Sequence, residues 1–275
     1  MNFAKPTPSS LAATTTLSAA EEINRKAYDQ MAKIGHVLAT PVSPDELRKP
    51  LEVVDGRGWL GGNIRGWNVL CLAAAGGRHS ALYSAAGAQV TVLDISDGML
   101  ELDRLACQQF GYSARLIQGS MNAMPMFREG EFDLVIHPVS TCYLRDIRPV
   151  FLEVSRVLRG GGLYISQHKS PVNVQASLTT QRGKYVLDTE VGEQAVAVQP
   201  GQPSPLRECN SQEFAHSLES ILGGICRAGM HIEDLSEPEH AKPDADVDSP
   251  GHRAQFIPPY IRVKARRAKA VGLVL

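Results

Sequence analysis

The chain has 275 residues, of which 43% are hydrophobic and 21% charged, and its formal net charge at pH 7 is −1. This length is enough to bury one sizeable core, as one large domain or as a domain with a cap. Positive and negative side chains nearly balance in number, whereas a dedicated nucleic-acid binder carries an excess of positive charge. We therefore expect no nucleic-acid partner. The five cysteines are scattered and include no C-x-x-C pair, which argues against a zinc site or a disulfide scaffold and favours a reducing compartment.

Residues 1–17 are rich in Ser, Thr, Ala and Pro, and they contain no hydrophobic region like that of a signal peptide. We predict a disordered lead-in here, with an organellar transit peptide as the alternative. No segment of the chain approaches the roughly 18 continuous apolar residues that a membrane helix needs. The sequence therefore predicts a cytoplasmic protein without a membrane partner.

Residues 18–66 are predicted to form an N-terminal helical cap. Ser18-Ala-Ala-Glu21 is a capping-box pattern, which predicts the start of a helix that runs to about Ile34. A second capping box at Ser43 predicts a short helix that Pro50 ends. A glycine-rich loop then leads into the next predicted domain.

The most informative stretch lies at the start of a predicted core domain, residues 67–170. An apolar run, Val69 to Leu72, breaks into small residues, Ala73 to Gly77, and after a helix-compatible segment a second run, Val90 to Leu93, ends on Asp94. This order is typical of a strand, a tight turn, a helix and a parallel strand. Small turn residues let a ligand contact the backbone, and a carboxylate about 20 residues beyond the turn accepts hydrogen bonds from a ribose diol. The stretch therefore predicts an adenosine-containing cofactor, with Asp94 on its ribose.

The turn itself argues against a dinucleotide. A pyrophosphate-binding turn reads Gly-x-Gly-x-x-Gly, and the corresponding positions here are Ala73, Ala75 and Arg78. The first two add a methyl group where the pyrophosphate must approach closely, and the third places a long cation where helix and strand pack. A nicotinamide-dependent oxidoreductase is therefore kept only as the alternative interpretation.

The same turn resembles motif I of the class I (Rossmann-like) S-adenosylmethionine-dependent methyltransferases, whose usual form is close to VLDLGCGTG. Four residues match that pattern, namely Val69, Leu70, Leu72 and Gly77. Alanines at positions 73 and 75 replace the two glycines of the pattern, and Cys71 replaces its acid.

Three later stretches are similar to the motifs that follow in this family. They are DISDGML from Asp94, GEFDLVIHPVSTCY from Gly130, and LRGGGLYISQH from Leu158. Together with the turn they make four motifs in the family's order, which cover the chain from Asn68 to His168.

The resemblance implies S-adenosylmethionine as the cofactor and methyl transfer as the reaction. It implies backbone contacts to the methionine ammonium around Ala73 and Ala75, and Met121 on the adenine face. Ser120 stands where the family usually has an acid that holds the adenine amine. Tyr28 belongs to a Tyr-Asp pair that folds over the cofactor in many members, with packing against the core as the alternative. The cofactor-binding residues so implied are Tyr28, Ala73, Ala75, Gly77, Asp94, Ile95, Met99, Ser120, Met121, His137 and Tyr143.

The implied fold is α/β, with a Rossmann-like seven-stranded, mostly parallel sheet, helices on both faces and a final antiparallel hairpin. Residues 171–210 are predicted to be a substrate-side insertion or lid, with a hairpin of two strands, KYVLDTEV and QAVAVQ. Residues 211–275 are predicted to complete the core sheet, with a helix over Gln212 to Ala228 and then strands at HIEDL and FIPPYIRVKAR. Two last strands joined without a helix are not expected of a dinucleotide dehydrogenase.

The predicted chemistry is an in-line displacement at a sulfonium, in which alignment and desolvation supply most of the rate. A general base is needed only if the acceptor must lose a proton. His137 and His168 are the candidate catalytic bases, because they end the fourth and fifth predicted strands, with a structural role as the alternative. No set of carboxylates suggests a bound metal, so no metal is expected.

The acceptor is predicted to be a small molecule, enclosed by the N-terminal helix and residues 171–210, whose content is mixed polar and apolar. The sequence leaves the identity of the acceptor and the oligomeric state open. The replaced glycines and Ser120 also permit a third interpretation, a protein that binds the cofactor without transferring a methyl group.

Overall fold

The computed structural model describes residues 17–35, 42–74, 76–187, 196–198 and 211–269. The predicted lead-in, except for its last residue, therefore lies outside the described residues, as does Ala75. In the described part, the helices are α1 (Ala19–Ile34), α2 (Pro44–Arg48), α3 (Pro50–Val54), α4 (Arg78–Ala85), α5 (Asp97–Phe110), α6 (Arg148–Val157), α7 (Pro171–Gln175), α8 (Gly224–Arg227) and α9 (Pro250–Arg253). The strands are β1 (Asn68–Leu72), β2 (Gln89–Asp94), β3 (Ala114–Gln118), β4 (Phe132–His137), β5 (Leu158–Lys169), β6 (Val196–Val198), β7 (Glu213–Ala215), β8 (Met230–Ser236) and β9 (Tyr260–Arg267).

Seven of these strands form one sheet in the order β3-β2-β1-β4-β5-β9-β8. The pairs among the first five strands are parallel, whereas β9 runs antiparallel to both β5 and β8. The predicted seven-stranded sheet with a final antiparallel pair of strands is thus confirmed. The connection between those two strands was predicted to contain no helix, and this was wrong, because the short helix α9 lies between them.

Strand β1 shows why the sheet lies in the middle of the core. Its side chains alternate between the two faces, so Val69 and Cys71 join one hydrophobic cluster while Leu70 and Leu72 join the other. All four side chains are fully buried. A strand covered on both faces reads as a continuous apolar run, which is the pattern that the sequence shows here.

The N-terminal helix α1 begins where its capping box predicts. Ser18 accepts a hydrogen bond from the backbone N–H of Glu21, and the Glu21 side chain accepts one from the Ser18 N–H. The helix ends at Gly35, whose left-handed conformation (φ 65°) suits a residue without a Cβ.

The next two helices depart from the prediction at one residue. Ser43 caps α2 as expected, but Pro50 begins α3 instead of ending the helical segment. Proline fits the first position of a helix, because the N–H that it lacks would have no partner there. Lys49, with φ −135°, separates the two helices.

The segment after α7 also differs from the prediction. The described part of the second predicted strand, β6, pairs with β7 in a separate two-stranded sheet, and the rest of the predicted hairpin after residue 187 lies outside the described residues. Strand β7 occupies the start of the helix predicted over Gln212 to Ala228, and helical structure begins with a π-helical turn at Glu219. Tertiary contacts override helix propensity here: Glu213 is buried and accepts hydrogen bonds from Nζ of Lys169 at 2.7 Å.

Candidate active site

A crevice lies at the carboxyl ends of β1 to β4, and helix α1 covers it. About 640 Å³ of space outside the protein atoms lies in it, and this space includes open solvent at its mouth. In a sheet of this topology, the carboxyl ends of the strands are where ligands bind. The lining residues are Glu21, Asn24, Tyr28, Ala73, Leu93, Asp94, Ile95, Met99, Gly119, Ser120, Met121, Val139, Ser140, Tyr143 and Leu144.

The turn after β1 forms one wall of the crevice. Ala73 has a φ of 47°, a left-handed conformation that is uncommon for a residue with a side chain, and its N–H donates to the carbonyl of Leu93 at 2.8 Å. Gly77 has a φ of 83° and lies behind the wall, where an added Cβ would meet the carbonyl oxygen of Leu102 at 2.9 Å. The predicted site residue Gly77 therefore shapes the turn without lining the crevice.

Asp103 fixes this turn, and the sequence analysis missed it. The side chain is fully buried, accepts a hydrogen bond from the N–H of Gly76 at 2.9 Å and accepts another from the hydroxyl of Ser80. Burial raises the pKa of the Asp103 carboxyl. The sequence pattern that could have identified Asp103 is its helical spacing: it lies four residues after Met99 and therefore on the same, buried side of α5.

Asp94 ends β2 and places its carboxylate in the crevice. Its Oδ1 accepts a hydrogen bond from the N–H of Ser96 at 2.9 Å, and Ser96 in turn caps α5 by accepting from the N–H of Met99. Ile95 and Met99 line the crevice beside it. Strand end and helix cap together hold the carboxylate in place.

Beyond β3, Ser120 and Met121 line the crevice and are 3% and 8% exposed. The Ser120 hydroxyl donates a hydrogen bond to Oε1 of Glu21, which also accepts one from Nδ2 of Asn122 at 3.3 Å. Glu21 was predicted only as a capping-box residue. The structure adds a second position for it, inside the crevice.

Helix α1 is joined to the site by two pairs of contacts. The hydroxyl of Tyr28 donates to that of Tyr143 at 2.7 Å, and the two rings meet edge to face with centroids 5.5 Å apart. Asp29 accepts hydrogen bonds from the Ser96 hydroxyl at 2.7 Å and from the N–H of Gly98 at 3.0 Å. The helix therefore contacts both the segment after β4 and the start of α5.

Asn24 connects the same helix to the segment before β7. Its Nδ2 donates to the carbonyls of Tyr143 at 3.3 Å and Gln212 at 3.0 Å, and its Oδ1 accepts from the N–H of Gln212 at 2.7 Å. The side chain is 1% exposed. Because one buried amide makes three hydrogen bonds to backbone, α1 is held closed over the crevice.

His137 lies behind the crevice wall instead of lining it. Its Nδ1 is 2.7 Å from the hydroxyl of Tyr164, and its Nε2 is 2.6 Å from the hydroxyl of Ser140, which does line the crevice. Burial lowers the pKa of His137 to about 3. The imidazole is therefore neutral at physiological pH.

His168 does not line the crevice either, and it is fully buried. Its two ring nitrogens lie 2.9 Å and 2.8 Å from the hydroxyls of Thr141 and Ser166. Burial, assisted by the nearby His137 and His216, lowers the pKa of His168 well below its ordinary value. The structure does not bring this residue to the surface of the site.

The sheet, its antiparallel end and the crevice over β1 to β4 match the Rossmann-like fold of S-adenosylmethionine-dependent methyltransferases. Residues 70–166 match the family described as "Methyltransferase domain". The chain is 32% identical over 188 residues to the uncharacterized methyltransferase YbaJ of Bacillus subtilis (strain 168), an alignment that covers 63% of this chain and 69% of that protein. The chain belongs to the class I S-adenosylmethionine-dependent methyltransferase family.

Solved structures share the fold at low sequence identity. An S-adenosylmethionine-dependent methyltransferase from Mesorhizobium loti superposes with a TM-score of 0.61 at 18% identity, covering 80% of this chain and 100% of that one. The [4+2]-cyclase SpnF superposes with a TM-score of 0.60 at 14% identity, covering 93% of this chain and 99% of that one.

None of the helices within the described ranges is both long and apolar enough to cross a membrane. Over those same ranges, His, Cys, Asp and Glu side chains do not gather in groups of three or more that could hold a metal ion.

Proposed function

We propose that the chain holds S-adenosylmethionine in this crevice and transfers its methyl group to a small-molecule acceptor. The observation that carries the proposal is the position of Asp94, a carboxylate at the carboxyl end of β2 in a crevice whose adjacent wall is the turn after β1. In a doubly wound sheet this is the arrangement that binds a ribose next to a ligand-binding turn. Family membership and geometry thus support the same ligand.

The residues of the crevice fit the parts of this cofactor. Asp94 would accept hydrogen bonds from the ribose hydroxyls, and the backbone around Ala73 would contact the methionine moiety. Apolar side chains that include Met99 and Met121 would flank the adenine. When bound, the sulfonium of the cofactor supplies a methyl group that is already activated for displacement.

The chain's own contribution to the reaction is to align the reactants and exclude water. Helix α1 closes the crevice, and the hydroxyl pair of Tyr28 and Tyr143 lines it. A displacement gains most from fixed geometry and from a dry site. Catalytic roles for His137 and His168 stay predictions, and His137 has a route to the crevice through the hydroxyl of Ser140.

A small acceptor fits the site better than a macromolecule. Helix α1 covers the crevice, and a covered crevice suits a compact acceptor better than a protein or nucleic-acid segment. The formal net charge of −1 also provides no general attraction for phosphates. We further propose a reducing, cytoplasmic setting, which the thiols of Cys71, Cys107 and Cys226 support.

Calorimetry with S-adenosylhomocysteine and, separately, with NAD tests the cofactor assignment. We expect saturable binding of S-adenosylhomocysteine and none of NAD, because the turn at Ala73 does not suit a pyrophosphate. Binding of NAD alone would instead support the oxidoreductase interpretation.

A second candidate function is cofactor binding without methyl transfer. The [4+2]-cyclase SpnF shares this fold, and a fold by itself does not determine a reaction. The family match favours methyl transfer. A screen for transfer of labelled methyl groups separates the two candidates.

A further inference from the structure

Helix α1 places a buried carboxylate inside the crevice. Glu21 is 5% exposed, and within the described residues its side chain is hydrogen-bonded to hydroxyl and amide groups and to no cation. A capping box does not require such burial: in the equivalent box of α2, the Glu46 side chain is 29% exposed. These hydrogen bonds satisfy the buried carboxylate, and those from Ser120 and Asn122 hold it in the wall of the crevice, a position that capping alone does not require.

The position of Glu21 along the crevice indicates which part of the cofactor it faces. Asp94, at the end of β2, lies between Ala73 beyond β1 and Ser120 beyond β3. With the ribose at Asp94, the base and the methionine moiety must extend to opposite sides. The side of β1 and β4 offers turn backbone and hydroxyl groups, which suit an amino acid, whereas the β3 side offers Met121, which suits the face of a base. Glu21 contacts Ser120 and therefore lies on the side of the base.

We infer that Glu21 is a specificity-determining residue that accepts a hydrogen bond from the exocyclic amine of adenine. The inference rests on the proposed function. Among the described lining residues the carboxylates are Glu21 and Asp94, and Asp94 is at the ribose. A carboxylate accepts hydrogen bonds from an amine and disfavours the carbonyl oxygen that hypoxanthine carries at the same position. The Oδ1 of Asn122, whose amide donates to Glu21, is buried and has no partner in the described part of the chain.

This assignment couples base recognition to closure of the site. The carboxylate belongs to α1 and not to the sheet, so the base is recognised fully only when α1 is docked. An adenine amine would in turn stabilise the docked position of the helix.

The variant Glu21→Gln tests the assignment, because glutamine also satisfies a capping box and keeps α1 capped. Calorimetry would compare S-adenosylhomocysteine with S-inosylhomocysteine, in which hypoxanthine replaces adenine. We expect the wild-type protein to prefer the adenine ligand by about tenfold to hundredfold, in line with a hydrogen bond to a charged group. In Glu21→Gln this preference should shrink to a few-fold, through weaker binding of S-adenosylhomocysteine.

Two controls separate recognition from helix stability. Glu22→Gln removes the same charge from the neighbouring, more exposed side chain and should keep the full preference. Ser18→Ala breaks the capping box but keeps the carboxylate, so it should weaken both ligands by a similar factor. Thermal unfolding checks that each variant is folded.

An unchanged preference in Glu21→Gln, or an equal loss of both ligands, would overturn the assignment while leaving the proposed function intact. Failure of the wild-type protein to bind S-adenosylhomocysteine at all would overturn the proposed function and, with it, this assignment.

Discussion

Asp94 is the residue on which the cofactor assignment depends most. Replacing it with alanine removes a carboxylate that is hydrogen-bonded in place by the N–H of Ser96. We predict that Asp94→Ala weakens binding of S-adenosylhomocysteine by about 1.5–3 kcal/mol, the range for hydrogen bonds to a charged group. Calorimetry measures this loss, and Asp97→Ala, at an exposed position on α5, is the matched control. Equal affinity of wild type and Asp94→Ala would remove Asp94 from the site.

His137 leads to a prediction about acid stability. Burial lowers its pKa from 6.5 to about 3, so between these values the unfolded chain binds a proton that the folded chain does not. The free energy of unfolding therefore falls as the pH falls through this window, by about 1.4 kcal/mol per pH unit for one such group. His137→Gln should be less stable near pH 7 but should show a shallower acid dependence in denaturant unfolding. Parallel pH profiles for the two proteins would contradict this account.

Asp103 shows how one residue controls a whole turn. Its carboxylate accepts the N–H of Gly76 and the Ser80 hydroxyl. We predict that Asp103→Asn lowers the free energy of unfolding by about 1–3 kcal/mol, because one buried donor loses its acceptor. Burial raises the pKa of Asp103 above its ordinary value of 3.8, so the folded protein still holds the Asp103 proton at pH values where the unfolded chain has released it. The contribution of this residue to the free energy of unfolding therefore decreases as the pH rises through the raised pKa. Unfolding curves of the variant should lack that decrease.

At the scale of elements, the strands were the most predictable parts. Continuous apolar runs such as Val69 to Leu72 are buried on both faces, and a run of this kind predicts a central parallel strand without knowledge of its neighbours. The segment that contains β7 was less predictable, because β7 is stabilised by Lys169, which is distant in sequence, and by pairing with β6. Contacts between distant parts of a chain leave no local pattern.

Helix α1 is expected to behave as a lid. We predict that hydrogen exchange across residues 18–35 slows when cofactor and acceptor are both bound, and that deleting residues 1–35 leaves a folded protein with little activity. Equal protection with and without ligands would argue against this lid and leave the segment near residues 186–198 as the candidate.

Asn24 allows the docking of this lid to be tested directly. Its amide makes three hydrogen bonds to the backbone of Tyr143 and Gln212. We predict that Asn24→Ala lowers the free energy of opening α1 by about 1–3 kcal/mol, because buried backbone groups lose their partners. Hydrogen exchange in α1 should accelerate accordingly, whereas the exposed-site variant Lys33→Ala should leave it unchanged.

At the scale of the whole molecule, the fold was predictable and part of the site was not. Motifs along one chain predict the sheet and the residues at its strand ends, such as Asp94 and Met121, because those positions follow directly from strand order. Glu21 enters the crevice from helix α1, and in sequence it lies 47 residues before Asn68, where the first strand of the sheet begins. Its role follows from the docking of α1, which a capping-box pattern does not reveal.

The central claim is that this methyltransferase acts on a small molecule in a crevice closed by α1. The most direct test is a transfer assay with methyl-labelled S-adenosylmethionine and fractionated small-molecule extracts, with Asp94→Ala as the matched inactive control. We predict that label moves into a low-molecular-weight product with the wild-type protein and that the variant transfers little. Label that passes only into protein or nucleic acid, or no transfer despite tight binding of S-adenosylhomocysteine, would contradict the account.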